Sequence, residues 1–164
     1  MSEAEEGWQR VLKAFDDWIY YESSEFGPYT GYFSLESFRD LIHGERVGWM
    51  RSMYEELIPG RVERCRNAVV AFEDFMPFMP DTDARDVVQS MIDLAQVIVD
   101  SMLGMSDTFH AMMEEHESSG FDEIAPYLSD LAETEENIRH HMSLFSEGFT
   151  KLRGLGLEMP DMES

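Results

Sequence analysis

Cysteine and long uninterrupted apolar runs are both scarce in this sequence, and each scarcity excludes a class of protein. Cys65 is the only cysteine, so one chain can form neither an internal disulfide bond nor a thiolate metal cluster. The uninterrupted apolar runs are far shorter than the roughly 18 to 20 residues of a membrane-spanning helix. The acidic first residues lack the basic start and apolar stretch of a secretory signal. We therefore expect a cytoplasmic protein without membrane insertion.

Positive charge is also scarce. The chain has 34 acidic residues against 12 basic ones, and Lys13 and Lys151 are its only lysines. A net charge of −22 repels phosphate, so we expect no direct binding of nucleic acid. A carboxylate-rich, lysine-poor surface stays soluble in concentrated salt, and halophilic adaptation is therefore one interpretation of the acidity.

Hydrophobic residues make up 43% of the chain and recur at helical spacing, whereas the alternation typical of strands hardly occurs. We predict three shorter N-terminal helices, over about residues 3–22, 34–57 and 61–76. Ser34 is the predicted N-cap of the second helix, and Pro59 with Gly60 is predicted to end it. Residues 24–33 contain two glycines and a proline, which predict a loop.

The second half of the chain has the most regular pattern. Apolar residues repeat every seven positions in two interleaved series, which is typical of a seam between packed helices. The first series is Val88, Ala95, Met102, Phe109 and the polar His116, and the second is Met91, Ile98, Met105 and Met112. A further seam runs from Leu128 to Leu152 after a break at Ser118 to Gly120. We predict an all-α helical bundle built on a long antiparallel two-helix hairpin, about residues 82–118 and 122–153.

No internal repeat or low-complexity linker divides the sequence. We therefore predict a single helical domain over residues 1–154. The glycines at 154 and 156 are poorly suited to continue the last helix, so residues 155–164 are predicted to form a C-terminal tail. Cys65 occupies an apolar position of the third helix and is expected to be buried.

Acidic residues recur along the first helix of the predicted hairpin at every seventh position, and the stretch from Arg85 to Arg139 contains no other arginine or lysine. Residues 1–80 carry a net charge of −7 and residues 81–164 carry −15. Outer positions of a heptad are polar in any helix, so a solvated face is one interpretation. The missing bases favour another, a docking surface for a basic protein. This candidate interaction surface comprises Asp86, Asp93, Asp100, Asp107, Glu114, Glu115, Glu117, Asp122, Glu123 and Glu133.

Residues with catalytic or ligand-binding chemistry form no recognisable motif. Nucleophile elbows and phosphate-binding loops are absent, and no Glu-x-x-His pair of the kind used by di-metal bundles occurs. We therefore predict no catalytic residue, metal ligand or cofactor. Glu135 interrupts the second seam, where it either fixes the helix register, reaches solvent, or forms a buried site with His116 or His141.

The sequence thus predicts a non-catalytic, acidic helical module that binds a basic or amphipathic protein partner as an adaptor, inhibitor or regulator. One alternative is a DNA mimic that inhibits a nucleic-acid-binding protein. A second alternative is an enzyme or a ligand or metal carrier with a site inside the bundle. A homodimer is also compatible with the sequence.

Overall fold

The computed structural model describes residues 2–41, 43–118 and 121–155 of the chain. Every element in this part is helical, which confirms the all-α prediction. The α-helices are α1 (Glu3–Tyr21), α2 (Leu35–Arg39), α3 (His43–Ser52), α4 (Ile58–Phe75), α5 (Thr82–Ser118), α6 (Ala125–Ser143) and α7 (Phe145–Gly154). Two π-helical turns, Glu22–Phe26 and Met53–Leu57, and three 3-10 turns, Gly27–Tyr32, Met76–Phe78 and Phe121–Ile124, connect them.

Helix α1 begins at a capping serine and packs through an aromatic face. The Ser2 hydroxyl accepts a hydrogen bond from the backbone N–H of Glu5 at 3.2 Å, which satisfies one of the unpaired donors of the first turn. Phe15 and Trp18 are buried, and both rings meet the ring of Phe145 edge to face. Since such aromatic pairs bury large apolar areas, they fix α1 against the C-terminal helices.

The prediction of a loop over residues 24–33 is wrong. Residues 22–26 continue α1 as a π-helical turn, and residues 27–32 form a 3-10 turn. Pro28 fits because it lies in the first turn of that element, where the missing N–H leaves no hydrogen bond unmade. The predicted N-cap at Ser34 is confirmed, since its hydroxyl accepts from the backbone N–H of Ser37 at 3.2 Å.

The second predicted helix differs from the structure in its interior and at its C-terminal end. The segment divides into α2 and α3, and α3 continues through a π-helical turn into α4 without the break predicted at Pro59 and Gly60. Pro59 lies in the first turn of α4, where proline is compatible with helical geometry. A Cβ atom at Gly60 would lie 2.5 Å from the Tyr21 hydroxyl, so this close approach of α1 requires glycine. That hydroxyl donates to the Leu57 carbonyl at 2.8 Å.

Helix α5 is the longest element, with 37 residues, and it packs against α4, α6 and α7. Asp81 caps its N-terminus, because an Asp81 carboxylate oxygen accepts from the backbone N–H of Ala84 at 2.9 Å. The apolar members of both predicted seam series are buried, whereas His116 at the end is half-buried. This burial gives α5 one face in the core and leaves the opposite face exposed.

The return segment is two helices where the sequence predicts one. Helix α6 ends at Ser143 and α7 begins at Phe145, with a 3-10-type hydrogen bond from the Leu144 N–H to the His141 carbonyl at 3.1 Å. Gly148 then packs so closely on α5 that a Cβ atom would lie 2.7 Å from the Met91 sulfur. Of the predicted tail only Leu155 lies within the described residues.

The mean hydropathy of α5 bears on the expectation that the chain does not insert into a membrane. Within Thr82–Glu117, an 18-residue window reaches a mean hydropathy of 1.3, so by length and composition this stretch of α5 is apolar enough to cross a membrane. Counting only uninterrupted apolar runs misses this property. Of that window, 39% is buried inside the structure, and the core helix of a soluble protein meets the same criterion. Cytoplasmic location therefore stays a prediction.

Candidate functional site

The acids predicted on α5 lie in one line along its exposed face. All five members of the seven-residue series, Asp86, Asp93, Asp100, Asp107 and Glu114, are exposed to solvent. We call this line the acidic stripe. The seam residues on the opposite side of α5 are buried, so packing against neighbouring helices leaves the stripe uncovered.

Uncharged or weakly basic side chains alternate with the acids of the stripe. The residues three positions after successive acids are Gln89, Gln96, Leu103 and His110, and all four are exposed. Spacing of three and four residues places them on the same face as the acids. Leu103 is 40% exposed and Val97, six residues earlier, is 46% exposed, so the exposed side of α5 carries apolar side chains as well as acids near its middle.

Salt bridges do not neutralise the aspartates of the stripe. Within the described residues, Asp86, Asp93, Asp100 and Asp107 form no salt bridge with an arginine, lysine or histidine. A carboxylate oxygen of Asp93 accepts a hydrogen bond from the Gln89 amide at 2.9 Å, which adds no charge. Uncompensated carboxylates on one face create a negative potential that attracts cationic groups.

Two of the grooves that border α5 lie near the middle of the helix. The groove shared with α4 has a volume of about 390 Å³, and its lining includes apolar side chains. It is lined by Arg66, Val69, Val70, Gln96, Val99 and Asp100. The groove shared with α6 has the same volume and is polar, with Ser101, Gly104, Thr108, Asp130, Glu133, Thr134 and Asn137 as its lining.

The remaining predicted surface residues lie apart from the stripe. Glu133 lines the polar groove beside α6. Glu115 is half-buried and Glu117 is exposed near the end of α5, while Glu123 is exposed in the following 3-10 turn. The side chain of Asp122 lies outside the described part of the structure. Of the ten predicted residues, five therefore form the stripe, and Glu133 extends the acidic surface across one groove.

A second charged feature lies inside the bundle, where Arg61 of α4 meets two glutamates. Its Nη1 and Nη2 atoms donate to the two carboxylate oxygens of Glu135 at 2.7 and 3.0 Å. Its Nε atom lies 2.7 and 2.9 Å from the two carboxylate oxygens of Glu22. Arg61 has no exposed surface and Glu135 is 5% exposed. The guanidinium thus joins the end of α1 to α6 through α4.

Further contacts complete this cluster. The Arg61 guanidinium lies 4.0 Å from the centre of the Phe26 ring, and the Trp18 indole N–H donates to Glu22 at 3.0 Å. Arg139 donates to Glu135 at 3.1 Å from the exposed side. Burial alone lowers the pKa of Arg61, but the charges of Glu22 and Glu135 together raise this pKa above its usual value, so the guanidinium stays protonated.

The buried position of Glu135 decides between the predictions made for it. The alternative in which its side chain reaches solvent is wrong, because the carboxylate is buried against Arg61. In metal-binding bundles, inward-facing glutamates surround metal ions. Here two glutamates surround a guanidinium, whose N–H groups occupy their carboxylate oxygens. Among the described residues, no group of three or more histidine, cysteine, aspartate or glutamate side chains is arranged to hold a metal ion.

The other residues considered for a buried site have separate surroundings. His116 is half-buried with its ring 6.3 Å from that of Phe38, and the Nδ1 atom of His141 lies 2.7 Å from the Asn137 carbonyl oxygen. Cys65 is buried as predicted, with its sulfur 3.4 Å from the Ala95 carbonyl oxygen. Burial raises the pKa of the Cys65 thiol to about 12, so it carries no thiolate near neutral pH.

Arg61 and Glu22 were not predicted as buried charged residues, because both lie at the boundaries of predicted helices. Their spacing contains the signal: Arg61 stands four residues before Cys65, and Glu22 stands four residues after Trp18. Each therefore continues a buried stripe by one helical turn. Arg61 and Glu22 have opposite charges and extend apolar stripes, and Glu135 interrupts another apolar series. These three positions together indicate a buried ion cluster.

Comparison with protein-family models, curated proteins and solved structures finds no match to this chain. The two charged features are therefore the basis for a functional interpretation. The charges of the Arg61 cluster pair with one another inside the bundle, so the cluster has a structural role. The stripe presents carboxylates to solvent beside an apolar groove, and this arrangement defines an acidic helical bundle with one open face.

Proposed function

We propose that this chain is a non-catalytic interaction module that binds a basic protein partner through the acidic stripe of α5, as an adaptor, inhibitor or regulator. In this proposal α5 and the return segment form a long antiparallel pair, about residues 82–118 and 122–153, that holds the stripe straight. The observation that supports it is the exposed series of carboxylates at seven-residue spacing, without salt bridges from Asp86 to Asp107.

Electrostatics give the physical reason. Carboxylates held in line repel one another, and this repulsion opposes folding unless counterions or a positively charged surface relieve it. A cationic partner would relieve it, and complementary potentials also accelerate diffusional encounter. Negative charge on this surface thus favours a basic partner over nucleic acid, which the same field repels.

Exposed apolar side chains on the same face support a protein partner. Val97 and Leu103 stand between successive acids of the stripe in the sequence, and Val70 of α4 is 55% exposed in the groove that Asp100 also lines. Exposed apolar groups within a charged groove suit contact with another protein. A face that combines these groups with carboxylates suits a partner with both basic and apolar side chains.

Mimicry of DNA is less well supported by this geometry. Acids seven residues apart on a straight helix are separated by about 10.5 Å. The phosphates of one DNA strand are separated by about 3.4 Å along the axis. The stripe alone therefore reproduces only part of the charge density of DNA, and the polar groove beside it adds only the carboxylates of Asp130 and Glu133.

Capture of proteins from a cell lysate, in low and in high salt, tests the proposal. The parent chain is compared with Asp100→Lys/Asp107→Lys and with Glu6→Lys/Asp16→Lys, which makes the same charge change at exposed positions of α1. We expect the parent and the α1 variant to retain basic proteins that the stripe variant loses. Retention of the same proteins by all three chains would contradict the proposal.

A further inference from the structure

The groove between α4 and α5 combines an apolar floor with charges on its rim. Val69 and Val99 are each 7% exposed and form its floor, while Val70 is 55% exposed at its edge. Asp100 lines the α5 side and Arg66 lines the α4 side. An occupant that fits this groove has apolar groups in the middle and opposite charges towards its two sides.

The spacing along α5 indicates the shape of the occupant. Acids alternate with Gln89, Gln96, Leu103 and His110 at intervals of three and four residues, the spacing that brings two packed helices into continuous contact. The seam of α5 uses the same spacing on its buried side. The exposed side therefore has the periodicity of a helix-packing surface with no helix of this chain upon it in the described structure.

We infer that the groove between α4 and α5 binds one amphipathic helix of a partner protein, whose apolar residues cover Val70 and Val99. Lysine or arginine at every seventh position of that helix meets Asp93, Asp100 and Asp107. An acidic residue on its other side meets Arg66. This inference rests on the proposed function and specifies the partner and its register.

Charge complementarity selects this occupant over a second copy of the chain. With a net charge of −22, two copies repel each other, and stripe would face stripe in a symmetric pair. The polar groove beside α6 is a poorer site for an apolar helix face, since its lining contains Asp130 and Glu133 and no large apolar side chain. A basic amphipathic helix satisfies both the charge and the apolar floor of the groove beside α4.

Two synthetic peptides of identical composition test the inference by fluorescence anisotropy with the full chain. The heptad peptide has lysine at every seventh position and leucine at the intervening seam positions, and the scrambled peptide has the same residues without that period. We expect the heptad peptide to bind at least about tenfold more tightly, which corresponds to roughly 1.4 kcal/mol. Equal binding of the two peptides would overturn the inference.

Variants of the groove provide the second arm. Val70→Glu places a charge at the groove edge, and Ile19→Glu is its control, because Ile19 is 39% exposed on α1. We expect Val70→Glu to weaken binding of the heptad peptide about tenfold while Ile19→Glu leaves it unchanged. Thermal melting shows that each variant is folded. Unchanged binding by folded Val70→Glu would place the peptide elsewhere and overturn the inference.

Charge reversal tests the register and separates this inference from the proposed function. Asp100→Lys should weaken the heptad peptide, and a peptide with glutamate at the central lysine position should recover that loss. If Asp100→Lys weakens both the heptad and the scrambled peptides equally, the stripe binds basic segments without the groove, and only the inference fails. If no variant of the stripe affects binding, the proposed function fails as well. Dimerisation through Val70, detected by sedimentation, would also overturn the inference.

Discussion

Arg61 and Glu135 are 74 residues apart in the chain, yet two hydrogen bonds of 2.7 and 3.0 Å join the guanidinium to the carboxylate inside the bundle. This pair fixes α4 relative to α6, because a shift of one helical turn in either helix would leave both charges buried without a partner. Glu22 binds the same guanidinium from the end of α1. The cluster thereby connects the end of α1, α4 and α6 through one guanidinium.

Replacing Arg61 should destabilise the fold strongly. Arg61→Met keeps the apolar volume but leaves the Glu22 and Glu135 carboxylates without their buried cation, which costs about 3–5 kcal/mol of the free energy of unfolding. Denaturant unfolding followed by circular dichroism measures this loss. Arg139→Met is the control, since the Arg139 side chain is 61% exposed and its loss should cost roughly 1 kcal/mol or less. Equal stability of Arg61→Met and the parent would show that the cluster does not hold the helices together.

Charge placed in the seam of α5 should unfold the chain. Ile98 is fully buried, so Ile98→Asp would replace apolar contacts with an unpaired carboxylate and is expected to remove several kcal/mol, about the total stability of a small domain. Val97→Asp makes a comparable change next to it, at a position 46% exposed, and should be tolerated. Thermal melting of both variants checks this. If Ile98→Asp melted like the parent, the assignment of the seam would be wrong.

The thiol of Cys65 should be almost inert in the folded chain. Burial raises the pKa of this thiol to about 12, so only a very small fraction of it is thiolate near pH 8. Alkylation by iodoacetamide should therefore be slow in the native protein and fast after denaturation. Because the folded pKa is the higher one, stability is unaffected below about pH 9 and falls as the pH rises towards 12. Rapid alkylation of folded protein at pH 8 would contradict the burial of Cys65.

Much of the fold was predictable because the strongest signals are periodic. The seam of α5, the burial of Ile98 and the caps at Ser34 and Asp81 all follow from local spacing and capping chemistry. The errors lie where tertiary contacts override local signals. Pro59 is tolerated within a continuous helical path because it occupies a first turn, and the residues after Tyr21 stay helical although glycine and proline indicate a loop.

The candidate site was only partly predictable for a related reason. The acids of the stripe can be recognised from the sequence alone, because they recur at seven-residue spacing. The contact between Arg61 and Glu135 depends on which helices pack together, and this information is absent from local periodicity. The apolar groove beside the stripe was not predictable for the same reason, since Val70 and Asp100 come from different helices.

A salt titration should distinguish two explanations of the acidity, a solvated surface adapted to high salt and a docking surface. If the excess of carboxylates is an adaptation to high salt, the melting temperature should rise substantially between about 0.05 M and molar salt, as the Debye length falls from above 10 Å to about 3 Å. Potassium chloride titration with thermal melting measures the rise. A flat response would show that repulsion among the 34 acids does not limit stability and would remove halophilic adaptation as an explanation.

The association rate with a basic helix tests whether the acidic stripe of α5 is a docking surface. Stopped-flow binding of the heptad peptide is recorded over a salt series for the parent, for Asp100→Lys/Asp107→Lys and for the α1 control Glu6→Lys/Asp16→Lys. Both variants change the net charge equally, so only position distinguishes them. We predict that the stripe variant associates at least about tenfold more slowly in low salt, with a weaker salt dependence, while the control stays close to the parent. Equal rates for the two variants at every salt concentration would show that the stripe is a solvated face with no role in binding.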